Sequence, residues 1–226
     1  MAQPNIVRQG YLDIRKKFVR TMKWMSENVS PVSDEIPNNP TKTVIVKIAT
    51  TGLNAYYNEI LQLTLLDGSG KLLLDTYVKP VWTLQWPEAE RANHITPDMV
   101  KDAPTPVALY STVRTILESA DLIVGYNLSF DLEFLKCWYV LPQHARPLDI
   151  MKAVSRLYGV FDSDFQNRRY LKQTDAVDLY AAAGYEKFFA PKLRNQKYPN
   201  QNISDAEDIV FLLHALQHDP ARQRAH

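Results

Sequence analysis

Three apolar runs lie close together between Thr43 and Val78, and they constrain the fold more than any other stretch of the chain. Val44-Ile45-Val46 continues into Ile48. Ile60-Leu61 is followed by Leu63 and Leu65, and Leu72-Leu73-Leu74 leads on to Val78. Short apolar runs bounded by turn residues read as buried strands, and Asp67-Gly68-Ser69-Gly70 supplies a turn between the second and third. Strands joined by so short a turn lie antiparallel. After Val78 the pattern changes. Pro106 to Glu118 reads as a helix with proline in its first turn, Leu122 to Tyr126 as a short strand, and Ser129 to Trp138 as a helix directly after it. Tyr170 to Ala183 is a further helix stopped by Gly184, and the last helix runs from about Ser204 to Gln217, with Ser204 and Glu207 placed as a capping box. Strands first, then alternating helices and strands, give an α/β fold with a mixed sheet and helices on its faces.

The segment before Thr43 is different. Tyr11, Ile14, Phe18, Met22 and Met25 recur at steps of three and four, which is one face of an amphipathic helix from about Gln9 to Ser26. Residues 1–30 hold Arg8, Arg15, Lys16, Lys17, Arg20 and Lys23 against Asp13 and Glu27, which leaves +4 there and −3 on the rest of a chain of net charge +1. Pro31, Pro37 and Pro40 then mark an extended linker. The expected organisation is a basic N-terminal helix and linker over residues 1–42, one α/β domain over 43–218, and a polar tail over 219–226. With 46 % hydrophobic and 23 % charged residues, the composition is that of a soluble globular protein. A net charge near zero gives no global attraction to polyanions, so contact with nucleic acid requires local patches. A lone Cys137 excludes an internal disulfide and fits a reducing, cytoplasmic setting. There is no apolar run near about 18 residues and no signal-peptide pattern, so no membrane contact is expected.

Four segments, in order, carry the chemistry. They are Lys47-Ile48-Ala49-Thr50-Thr51-Gly52-Leu53, Asn93-His94-Ile95-Thr96-Pro97-Asp98, Val124-Gly125-Tyr126-Asn127-Leu128-Ser129-Phe130-Asp131 with Phe134-Leu135, and Asn200-Gln201-Asn202-Ile203-Ser204-Asp205-Ala206. Together they resemble the DnaQ-like 3′–5′ exonucleases, the DEDD class built on an RNase H-like mixed sheet. The resemblance implies that fold from about Thr43 to Leu216. In that family the first motif reads Asp-x-Glu, two later Asp residues complete the ligand set for two divalent ions, and a His acts as general base. Here Lys47 takes the first Asp position, Ala49 the Glu position and Asn200 the His position, while Asp131 and Asp205 are retained.

Each departure has its own physical consequence. Two-metal phosphoryl transfer needs hard anionic oxygens around ions about 4 Å apart. Positions 47 and 49 share one face of a strand, so the face that should offer two carboxylates offers an ammonium and a methyl group. Such a cation repels Mg²⁺ and neutralises the nearby aspartates, and Lys47 is expected to bridge Asp131 and Asp205 in place of the metal. Asn200 has no lone pair that titrates near neutral pH and accepts no proton from water. No cofactor and no active catalytic residue are therefore expected. The alternative is a rewired exonuclease on single-stranded DNA or RNA, with Mg²⁺ or Mn²⁺ held by Asp131 and Asp205. A purely structural reading also exists: both aspartates favour the positive end of a helix.

What the resemblance leaves intact is a binding surface. Thr50, Thr51, Gly52 and Leu53 occupy positions that pack against the terminal nucleotide in the family, with Tyr126, Asn127 and Phe130 flanking the same cleft. Lys192, Arg194 and Lys197 add three cations just before the last motif. The sequence thus describes an exonuclease-like pseudoenzyme that binds either a single-stranded DNA or RNA end, or a protein partner through residues 8–26 and the Trp82 and Trp86 segment, although core cover is the favoured reading of the two tryptophans themselves. It gives no oligomeric state.

Overall fold

The computed structural model describes residues 39–162, 167–186 and 201–223. The N-terminal helix, most of its linker, Lys192, Arg194, Lys197 and Asn200 lie outside the described residues.

The three apolar runs form β1 (Thr43–Thr50), β2 (Ile60–Asp67) and β3 (Leu72–Tyr77). Two short helices follow, α1 (Pro87–Asn93) and α2 (Pro97–Val100), and then α3 (Pro106–Glu118). Next come β4 (Leu122–Gly125), α4 (Leu128–Cys137), β5 (Arg146–Asp149) and α5 (Ile150–Tyr158). A small hairpin pairs β6 (Phe161–Asp162) with β7 (Asn167–Arg168). The chain continues with α6 (Gln173–Ala182), α7 (Gln201–Gln217) and α8 (Pro220–Gln223). The main sheet has the order β3-β2-β1-β4-β5, with β1 antiparallel to β2, β2 antiparallel to β3, and β4 and β5 added in parallel. This is the RNase H-like mixed sheet that the sequence implied.

Side-chain alternation along the strands divides the core in two. Val44, Val46 and Ile48 pack with Leu63 and Leu65 against α3 and α4. Ile45 and Leu66 face the opposite layer, where Val154, Val177, Val210 and Leu213 come from α5, α6 and α7. Covering both faces explains why β1 and β2 read as continuous apolar runs rather than alternating ones. Asp67 closes the hairpin as expected: its Oδ1 accepts the N–H groups of Ser69 and Lys71 at 2.8 and 3.0 Å, and Gly70 takes the φ of 85° that the turn demands.

Two expectations are corrected. α7 already spans Gln201, so Ser204 and Glu207 lie inside the helix and form no capping box, and Asp205 lies beyond its first turn. Asp219 does not open a polar tail. It is buried, and its carboxylate accepts the hydroxyls of Tyr158 at 2.7 Å and Tyr180 at 2.7 Å, which pins the end of α7 to α5 and α6. Trp86 is core cover, as favoured from the sequence, with its indole N–H on the Ile95 carbonyl at 2.6 Å.

Candidate functional site

Pairing between β1 and β4 ends at Ile45 and Val124, while β1 runs on to Thr50. Beyond that point the β4 side of β1 is open, at the carboxyl ends of two parallel strands where open sheets commonly place their ligands. The N–H of Ile48 in this stretch donates to Asp131 Oδ1 at 3.1 Å. Asp131 comes from the first turn of α4 and is buried, with 3 % of its surface exposed.

Lys47 and Ala49 are the two half-buried positions of β1, on the face that looks toward α7. The Lys47 ammonium lies 2.9 Å from Asp205 Oδ2. Gln201 Nε2 donates to the other oxygen of Asp205 at 2.7 Å, so both carboxylate oxygens are engaged. Beneath this pair, Asn202 Nδ2 donates to the Lys47 carbonyl at 3.2 Å and to Thr64 Oγ1 at 3.0 Å, and Thr64 donates to Asp75 at 2.6 Å. Main chain and side chain of Lys47 therefore both fasten α7 to the sheet.

The expected bridge is half present. Lys47 contacts Asp205, whereas it acts on Asp131 through space rather than in an ion pair. Burial pushes the Asp131 carboxyl up to about 7. The Lys47 charge and the Ile48 N–H oppose that rise, and Asp149 adds to it.

Asp149 is a site residue that the motifs did not reveal. Its Oδ1 accepts Met151 N and Asn127 N, each at 3.1 Å, so one carboxylate caps α5 and fixes the entry to α4. Its Oδ2 is buried, with Lys152 Nζ 3.9 Å away. Burial pushes this carboxyl up as well. The signal was legible as an Asp after apolar Leu148 and before Ile150, Ala153 and Val154 at helical spacing.

The expected binding positions separate into framework and surface. Thr50 and Thr51 are buried: Thr50 Oγ1 donates to the Gly52 carbonyl at 2.7 Å, and Thr51 Oγ1 accepts the Glu59 N–H at 2.9 Å. Leu53 is 86 % exposed. Asn127 is exposed with a φ of 59°, and Phe130 stacks at a tilt on Phe134 with centroids 5.0 Å apart. Tyr126 differs from expectation, because its ring belongs to the core and its hydroxyl donates to the Leu171 carbonyl at 2.7 Å.

Among the described residues, few oxygens are free to hold two divalent ions. Asp131 gives one oxygen to Ile48 N–H, Asp205 has both oxygens engaged, Ala49 has no donor, and an ammonium stands 2.9 Å from Asp205. Among the described residues, no group of three or more His, Cys, Asp or Glu is placed to hold a metal. The donor set of the described residues does not fit a two-ion centre.

Residues 49–184 match a protein-family model described as RNase_T, exonuclease. The chain is 27 % identical over 111 residues to the PolC-type DNA polymerase III of Pediococcus pentosaceus, a match over 48 % of this chain and 8 % of that protein. It is 32 % identical over 99 residues to the Bacillus subtilis protein of the same description, over 42 % and 7 %. The chain thus matches less than a tenth of these relatives. A product-bound exonuclease I structure superposes with a TM-score of 0.56 at 16 % identity, over 77 % of this chain and 43 % of that one. Escherichia coli exonuclease I in complex with a dA16 oligonucleotide gives 0.58 at 15 %, over 80 % and 42 %. At these identities the likeness establishes the fold.

Proposed function

This chain belongs to the DnaQ-like exonuclease family, and on that premise we propose that it is a non-catalytic member which binds single-stranded nucleic-acid ends in an accessory or regulatory role. The observation that carries the reading is the Lys47 ammonium at 2.9 Å from Asp205. A fixed cation in contact with a retained acidic side chain takes over the electrostatic work that ions perform in a nuclease, without their ability to activate water or polarise a phosphate. Lys47 then holds α7 on the sheet, and Asp131 holds the open edge of β1. The cleft keeps its shape without metal, and Asn200, at the general-base position of the family's pattern, has no lone pair that titrates near neutral pH. Leu53, Asn127 and Phe130 remain accessible at the cleft for stacking and polar contact with a terminal nucleotide. Base stacking of this kind is worth about 1–3 kcal/mol per base.

A second reading, a protein partner, is favoured by the exposed Leu53, Tyr57, Val81 and Leu84. Salt separates the two, since phosphate contacts release counterions and weaken steeply as salt rises.

The test is a labelled single strand incubated with Mg²⁺ or Mn²⁺, with Asp131→Ala alongside. The expected result is salt-sensitive binding with no shortening. Shortening that depends on Asp131 would instead establish a rewired exonuclease.

A further inference from the structure

Glu59, the residue before β2, gathers three consecutive backbone donors. Its Oε1 accepts the N–H of Val81 at 2.6 Å, and its Oε2 accepts those of Trp82 and Thr83 at 3.2 and 2.8 Å. Successive N–H groups turned toward one point make a concavity that selects an anion, and here the chain supplies the anion itself. The backbone of Glu59 holds a second segment. Its carbonyl accepts Thr51 N at 2.8 Å, and its N–H donates to Thr51 Oγ1 at 2.9 Å. One buried residue therefore stitches segment 80–87 to segment 51–58, the loop that leaves β1 at the cleft.

Both stitched segments are chemically unusual. Residues 51–58 and 80–87 contain no charged side chain. Leu53 and Tyr57 are exposed on the first, and Val81 and Leu84 on the second. A lip without cations does not draw phosphates, so its contribution to a bound strand has to come from the placement of apolar and aromatic surface against bases. Placement depends on the stitch.

We infer that Glu59 is a positioning residue for the bound strand: it sets the two uncharged segments in register so that Leu53 and Tyr57 meet the unpaired terminal bases. This inference rests on the chain being a binder of nucleic-acid ends.

Strand β2 carries its own control. At the opposite end, Asp67 Oδ1 gathers the N–H of Ser69 at 2.8 Å and that of Lys71 at 3.0 Å. Asp67 ties down a turn as Glu59 does, but away from the cleft. The experiment compares the full-length wild type with Glu59→Gln, Glu59→Asp and Asp67→Asn. Amide exchange at Val81, Trp82 and Thr83 reports the stitch, and fluorescence anisotropy of a labelled oligothymidylate reports binding. Glu59→Gln is expected to speed exchange at Val81 and Thr83 and to weaken binding about tenfold, the size of one charge-assisted hydrogen bond. Asp67→Asn is expected to lose stability while binding as wild type does. Should Glu59→Gln fail to fold, Glu59→Asp keeps the charge on a shorter arm and is expected to show both effects at reduced size. Faster exchange with unchanged binding would overturn the inference, and so would equal weakening by Asp67→Asn. Unchanged exchange would overturn it too. If the wild type binds no oligonucleotide, the reading beneath falls and takes the inference with it. Wild-type binding that ignores Glu59→Gln removes the inference alone.

Discussion

Asp131 and Asp205 come from the same family pattern and stand near the same lysine, yet the fold treats them oppositely. Asp205 is partly exposed, and Lys47 and Gln201 each hold one of its oxygens. Asp131 is buried, receives a single strand N–H, and has its carboxyl pushed up to about 7. The contrast teaches that a motif fixes where a carboxylate stands, while burial and contact fix whether it is charged. In a metal-dependent relative the ions would equalise two such groups. Here one lysine reaches one of them, and burial makes the other slower to give up its proton as pH rises.

The largest change should come from undoing the substitutions themselves. The combination Lys47→Asp, Ala49→Glu and Asn200→His should produce metal-dependent shortening of a labelled single strand. Its expected excess over wild type is at least about 10²-fold, the scale of a general base alone. A folded triple variant with no activity would show that the cleft geometry has drifted from that of a nuclease.

Next in size is the stability difference between the two aspartates. Asp131→Ala leaves the Ile48 N–H buried without an acceptor and should cost about 1–3 kcal/mol in urea unfolding. Asp205→Ala breaks a partly exposed ion pair and should cost about 1 kcal/mol or less. Equal losses would erase the contrast.

The pH profile sharpens it further. Between its ordinary value of 3.8 and about 7, the folded Asp131 keeps a proton that the unfolded chain has released. Folding then takes up a proton, so stability falls as pH rises through that window and levels off above it. Asp149 is raised by burial and acts in the same direction. Asp131→Asn should flatten the profile measured by thermal unfolding from pH 4 to 8. The smallest effect belongs to Gln201→Ala, which removes one exposed-side partner of Asp205 and should cost about 0.5–1 kcal/mol.

Legibility in the sequence followed burial. β1, β2 and β3 were readable because both faces of β1 and β2 are covered, and α3 because Pro106 and the spacing of Leu109, Val113 and Leu117 mark it. α1 escaped because none of its residues is buried, so no periodicity exists to detect. β5 escaped because it is four residues long and contains Pro147, a residue that edge strands tolerate and central strands do not. The start of α7 was misplaced because buried Asn202 looks like loop chemistry until its partners, Lys47 and Thr64, are known. At the site, motif order was enough to find Lys47, Asp131 and Asp205. It could not tell that Lys47 contacts only one of the two acids, nor that Tyr126 turns inward to Leu171. Those outcomes depend on how α4 and α7 approach the sheet, which lies in tertiary packing rather than in local pattern.

The most direct test is a crystal of the full chain soaked in millimolar Mn²⁺, with anomalous scattering used to locate ions. The account predicts no ion between Asp131 and Asp205, with the Lys47 ammonium still on Asp205. Two manganese peaks at these aspartates, with Lys47 swung out to solvent, would contradict it.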